Sequence, residues 1–198
     1  MDKYRSIAAP SEGLYKASGS RFIAYAYPLT SEAEVKEKVD ALRKEHHAAR
    51  HHCYAYRIGL GGKEWRANDD GEPSGTAGRP ILGSIDSAGL SDVLIVVVRY
   101  FGGILLGVPG LIKAYKDASA DAIANASIIE KTACAHYRLE FGYESMESVM
   151  RILKDMDIQP SLRDFSLSCL IEAPVPLDSA PAFEERAGKI DNLTFAKI

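Results

Sequence analysis

NDDGEPSGTAGRPILG (residues 68–83) and VLIVVVRYFGGILLGVPGLIKAY (residues 93–115) decide how this chain is read. The apolar run at residues 93–98 has the length of a strand and carries no polar residue on either parity. Both faces of that strand are therefore expected to be covered. It ends in Arg99-Tyr100 and a Gly-Gly pair, after which Leu111, Tyr115, Ala118 and Ala122 recur at helical spacing. Pro109 suits the first position of that helix, where a missing N–H is no loss. Nine of the sixteen glycines fall between Gly71 and Gly110. A buried strand, a glycine turn and a helix start can together present free backbone N–H groups to an anion.

Upstream, residues 14–17 and 21–27 flank Ser18-Gly19-Ser20 as the arms of a hairpin. Ser31 and Glu34 form an S-x-x-E capping box ahead of Val35, Val39 and Leu42, and His46 extends that stripe. Residues 52–60 return to a strand pattern, which Gly61-Gly62 turns into residues 64–67. Residues 79–88 read as a helix with Pro80 in its first turn, and residues 127–135 as a strand or connector. From His136 the texture changes. Residues 137–141 alternate as a half-buried strand, and Met146, Val149, Met150 and Leu153 make a helical stripe. Residues 158–162 and 165–171 read as two strands around Arg163-Asp164, residues 180–187 as a helix and residues 193–198 as a last strand. This β-α-β-β-α-β order is that of a ferredoxin-like unit. The expected class is α+β, with one domain at residues 1–133 and a second at residues 134–198.

The 198 residues are 46% hydrophobic and 26% charged, the mix of an ordinary globular protein. A net charge of -3 argues against a generally basic nucleic-acid binder while leaving room for a local basic patch. The longest apolar stretch, residues 90–98, is broken by Ser91 and Asp92 and is too short to span a bilayer. The opening MDKYRSIAAPSEG lacks a signal-peptide core. Cys53, Cys134 and Cys169 form no C-x-x-C pair, which suits a reducing compartment and argues against a thiolate zinc site. A cytoplasmic location without membrane contact is expected.

DDGEPSGTAGRPIL at residues 69–82, VVVRYFGG at residues 96–103, Leu106-Gly107 and GL-x-K-AY at residues 110–115 resemble the IMPACT family, in its bacterial YigZ-like branch. His46 followed by Ala49-Arg50-His51-His52-Cys53 matches a further family block. The blocks occur in family order and span nearly the whole chain. The resemblance implies an N-terminal domain like the second domain of ribosomal protein S5. It also implies a ferredoxin-like C-terminal domain resembling a domain of elongation factor G. Both likenesses point towards RNA, the ribosome and regulation of translation. Pro109 stands where family members usually carry Gly, and Lys113 where they often carry Arg. Lys113 keeps the charge and loses the bidentate fork.

The candidate anion- or RNA-binding residues are Arg79, Arg99, Tyr100, Gly102, Gly103, Gly107, Gly110 and Lys113. The helix start supplies N–H groups, the cations supply charge, and Tyr100 with Phe101 supplies rings on which a base can stack. Arg50, His52, Asp69, Asp70 and Glu72 stand as supporting residues. Arg99 could equally pair with Asp69, Asp70 or Glu72, and the rings could be core. No metal site or cofactor is expected: the acidic group reads as a turn, and position 48 is Ala, so His47 and His51 lack the H-E-x-x-H arrangement. No catalytic residue is identified, since no nucleophile–base pair or triad is evident. The preferred expectation is a non-catalytic protein that binds RNA or the ribosome. Its alternatives are an enzyme on a phosphorylated or nucleotide substrate in the same cleft, and a protein-interaction module working through the C-terminal domain.

Overall fold

Residues 93–98 are the spine of the larger of two units. The computed structural model describes residues 2–166 and 168–198. Its units are Tyr4–Lys131, and residues 2–3 with Thr132–Ile198. The first contains β2 (Ser11–Ala17), β3 (Ser20–Pro28), α1 (Ala33–Glu45), β4 (His51–Ile58), β5 (Glu64–Asn68), α2 (Gly78–Ser87), β6 (Val93–Tyr100) and α3 (Gly107–Ala124). Its sheet runs β2-β3-β6-β4-β5, and β6 lies antiparallel to both neighbours. One face packs Phe22, Cys53, Ile95 and Val97 against Ile81, Ile85, Leu111 and Tyr115 of α2 and α3. The other packs Leu94, Val96 and Tyr56 against Val35, Val39 and Leu42 of α1. All six side chains at residues 93–98 are fully buried. Each contributes about 1.5–3 kcal/mol, and a one-residue slip of the strand would draw Asp92 or Arg99 into a position now held by a valine. β1 (Lys3–Ile7) and β7 (Ile128–Thr132) form a separate two-stranded sheet.

The second unit contains β8 (Cys134–Phe141), α4 (Met146–Asp155), β9 (Leu162–Phe165), β10 (Cys169–Pro176), α5 (Ala180–Ala187) and β11 (Leu193–Lys197). The sheet order is β11-β8-β10-β9. Tyr137, Leu139, Phe141, Ile171 and Val175 face Val149, Leu153 and Phe183 of the two helices. The alternating residues His136, Arg138 and Glu140 of β8 are exposed. Eight Lys/Arg stand against twelve Asp/Glu in this unit, whereas the larger unit has sixteen against fifteen.

Three local expectations are corrected and one element was missed. Ser31 makes no side-chain cap for α1. Glu34 instead accepts from the N–H groups of Thr30 (2.9 Å) and Ser31 (3.2 Å), so only the carboxylate half of the box forms. α3 starts at Gly107, which places Pro109 third in the helix, still within the turn where N–H groups lack intrahelical partners. Arg163-Asp164 lies inside β9 and is not a turn; β9 pairs antiparallel with β10, Cys169 opposite Phe165, and Leu167 of the expected strand at residues 165–171 lies outside the described residues. β1 gives no alternation in KYRSI and was not anticipated.

Candidate functional site: a polar platform beneath an exposed apolar loop

The acidic turn at residues 69–72 closes on the protein itself. The Asp69 carboxylate accepts from the N–H groups of Gly75 (2.8 Å), Ala77 (3.1 Å) and Gly78 (2.8 Å). The N-terminus of α2 is thus filled by the chain's own anion. Burial pushes the Asp69 pKa up, but those N–H groups and nearby Arg79 outweigh it and hold it below the ordinary carboxylate value. Asp70, at φ 40°, accepts from the His52 N–H (2.7 Å) and from Arg43 (2.9 Å).

Glu72 reaches inward. Its Oε1 accepts from Arg99 Nη1 (2.6 Å) and from the Tyr115 hydroxyl (2.7 Å), with Glu72 and Arg99 side chains 3% and 7% exposed. The guanidinium lies 5.5 Å from the Phe22 ring centroid and 5.6 Å from that of Phe101. The Cys53 sulfur sits 3.0 Å from the Asp69 carbonyl oxygen and 3.3 Å from the Tyr115 hydroxyl. Burial pushes this thiol up, so a Cys53 thiolate is not available as a nucleophile. Across the sheet, the His46 ring bridges the hydroxyls of Tyr25 and Tyr100 at 2.7 Å each. Burial lowers the His52 pKa against the opposing pull of Asp70, and His52 Nε2 and Arg99 Nε are buried without a hydrogen-bond partner among the described residues.

Above this platform the chain exposes apolar side chains in succession. Phe101 (54%), Ile104 (59%), Leu105 (85%) and Val108 (52%) lie between the end of β6 and the first turn of α3. Gly102 anchors the base of the loop on the β2–β3 turn: a Cβ there would sit 2.0 Å from the Gly19 carbonyl carbon. Gly103 (φ 88°) and Gly107 (φ 69°) bracket residues 104–106, and Gly110 packs against Leu106. Exposed Lys16 and Arg21 flank that turn, Arg21 over the Tyr100 ring at 4.9 Å. Lys113 is exposed 5.7 Å from the Tyr15 ring centroid and pairs with Asp117 (2.5 Å).

The sequence-derived set is therefore divided. Of the two readings of Arg99, the structure shows the pairing: it is buried and ion-paired with Glu72. Asp69, Asp70 and Glu72 are consumed by the turn and the platform. His52 is buried, and Tyr100 is half-buried with its hydroxyl engaged. Arg50, Arg79 and Lys113 remain at the surface. The aliphatic residues Ile104, Leu105 and Val108 were not anticipated. Their signal was a run of large apolar residues inside a glycine-punctuated loop, with neither period.

A family profile described as "Impact N-terminal domain" matches residues 18–123. The IMPACT family member YigZ of Escherichia coli (strain K12) is 32% identical over 188 residues, covering 94% of this chain and 92% of the relative. The IMPACT family member YvyE of Bacillus subtilis (strain 168) is 33% identical over 192 residues, covering 97% and 88%. A crystal structure described as that of a hypothetical protein superposes with a TM-score of 0.74 at 30% identity, over 100% of this chain and 98% of the other.

Proposed function

We propose, for a chain that belongs to the IMPACT family, a non-catalytic role as a ribosome-binding protein that regulates translation. The observation that carries this reading is the exposed loop at residues 101–108 on its rigid polar base. A succession of large exposed apolar groups on a soluble domain marks a contact surface. Phe101 can stack on a base, and Lys16, Arg21, Arg79 and Lys113 offer charge to phosphate. Ile104, Leu105 and Val108 have no ring to stack and fit an apolar pocket of a protein. A ribosome presents both chemistries side by side. In the same reading the larger unit is like the second domain of ribosomal protein S5 and the smaller is ferredoxin-like, supported by its strand order β11-β8-β10-β9. The engaged state of Asp69, Asp70 and Glu72 weighs against their acting as metal ligands or bases on a phosphorylated substrate.

Cosedimentation with ribosomes over a salt series tests the proposal, beside filter binding of naked RNA. Wild type is expected to sediment with ribosomes at low salt and to bind naked RNA more weakly. The Ile104→Asp/Leu105→Asp variant is expected to weaken ribosome binding by about tenfold or more. Arg79→Ala/Lys113→Ala is expected to flatten the salt dependence. No association at low salt would discard the reading.

A further inference from the structure

The groove between α1 and the outer corner of the sheet has no part in the platform or the loop. α1 covers β6 and part of β4 with Val35, Val39 and Leu42, and stops short of the edge strand β5. The register pairs Tyr54 with Asn68 and Tyr56 with Arg66, so these four side chains share the α1 face. The result is an open cavity of about 340 Å³ floored by Val35, Val39, Tyr54 and Tyr56. Its rim carries Lys36 and Arg66, both exposed and without an ion pair or hydrogen bond among the described residues. Asn68 Oδ1 accepts from the Asp70 N–H (2.8 Å), which leaves the amide NH₂ to donate. Arg43 is committed to Asp40 and Asp70, and Glu32 accepts from the Tyr56 hydroxyl (2.6 Å).

We propose that this groove binds a phosphorylated nucleoside, its base against Tyr54 and its phosphate between Lys36 and Arg66. The volume is within the range of small-molecule sites. The exposed Lys36 and Arg66 on the rim favour an anion, and the Tyr54 ring on the floor offers a flat apolar surface. A free amide donor and the Asp40 carboxylate supply the mixed polarity that base edges and ribose hydroxyls require. The inference goes beyond the ribosome reading and concerns other side chains, so either can fail alone.

Chemical-shift mapping of the ¹⁵N-labelled full chain tests it, with AMP, GMP, CMP and UMP, inorganic phosphate, unphosphorylated adenosine and a short single-stranded oligoribonucleotide. Mononucleotides at millimolar concentration are expected to move the amides around Lys36, Arg66 and Asn68. Lys36→Ala/Arg66→Ala, both surface changes, is expected to weaken that binding about tenfold with the remaining spectrum intact. Tyr54→Leu should weaken nucleotide binding and leave the response to inorganic phosphate unchanged. An oligonucleotide binding more tightly than the mononucleotides assigns the phosphate to an RNA strand; equal affinity assigns it to a free nucleotide. No movement in the groove, or an unchanged affinity in the double cation variant, overturns the proposal.

Discussion

Glu72 and Arg99 lie 27 positions apart and share one buried hydrogen bond, with Tyr115 on the same carboxylate oxygen. Removing one partner strands a charge in the core, so Glu72→Ala is expected to cost about 3–5 kcal/mol in urea denaturation. Glu72→Gln with Arg99→Met removes both charges and should cost less than the two single changes added together. A double variant as unstable as the sum would show that the pair is not coupled. His52 gives a second residue-scale expectation. Burial holds its folded pKa below the ordinary 6.5, so the folded chain binds this proton more weakly than the unfolded chain. The associated stability is present above the unfolded value and is lost as pH falls through the folded one. The urea midpoint should fall as pH drops from neutral through 6.5 and below, and fall less in His52→Gln. Asp69, also held below its ordinary value, adds a loss only further down, within the carboxylate range. An identical pH slope in wild type and His52→Gln would contradict the assignment. A sequence could nominate Glu72 as one of three partners for Arg99, but not select it, because the choice depends on which turn residue the backbone at Asp70 turns inward.

At the scale of elements, β6 and the stripe of α3 were legible because buried periodicity leaves a direct mark on sequence. β1 was not, since its short polar strand is defined by its partner β7. The β9–β10 reversal was misplaced because charge at Arg163-Asp164 resembles a turn, whereas both residues lie on an exposed edge strand. The loop between β6 and α3 was read for its glycines and not for the side chains they display. Those side chains contribute little to the fold. Ile104→Ser and Leu105→Ser should shift stability by no more than about 0.5 kcal/mol, as judged by thermal unfolding. Gly102→Ala has no room beside Gly19 and should cost about 1–3 kcal/mol. A tolerated Gly102→Ala with a destabilising Leu105→Ser would invert the assignment of base and tip.

For the whole molecule, charge separates the units: the smaller is acidic and the larger close to neutral. The family motifs gather at one end of the larger sheet, where much of their polar chemistry is spent on holding loops. Most of the recognisable residues build the base; in the proposed reading the contact falls to Ile104, Leu105 and Val108 beside the motif residues Phe101, Arg79 and Lys113. Backbone hydrogen exchange with and without ribosomes measures this most directly. The account predicts slower exchange at residues 101–107 on ribosome addition, with the already protected β6 unchanged and the protection lost in Ile104→Asp/Leu105→Asp. Ribosome binding without protection of that loop, or with protection confined to Thr132–Ile198, would contradict it.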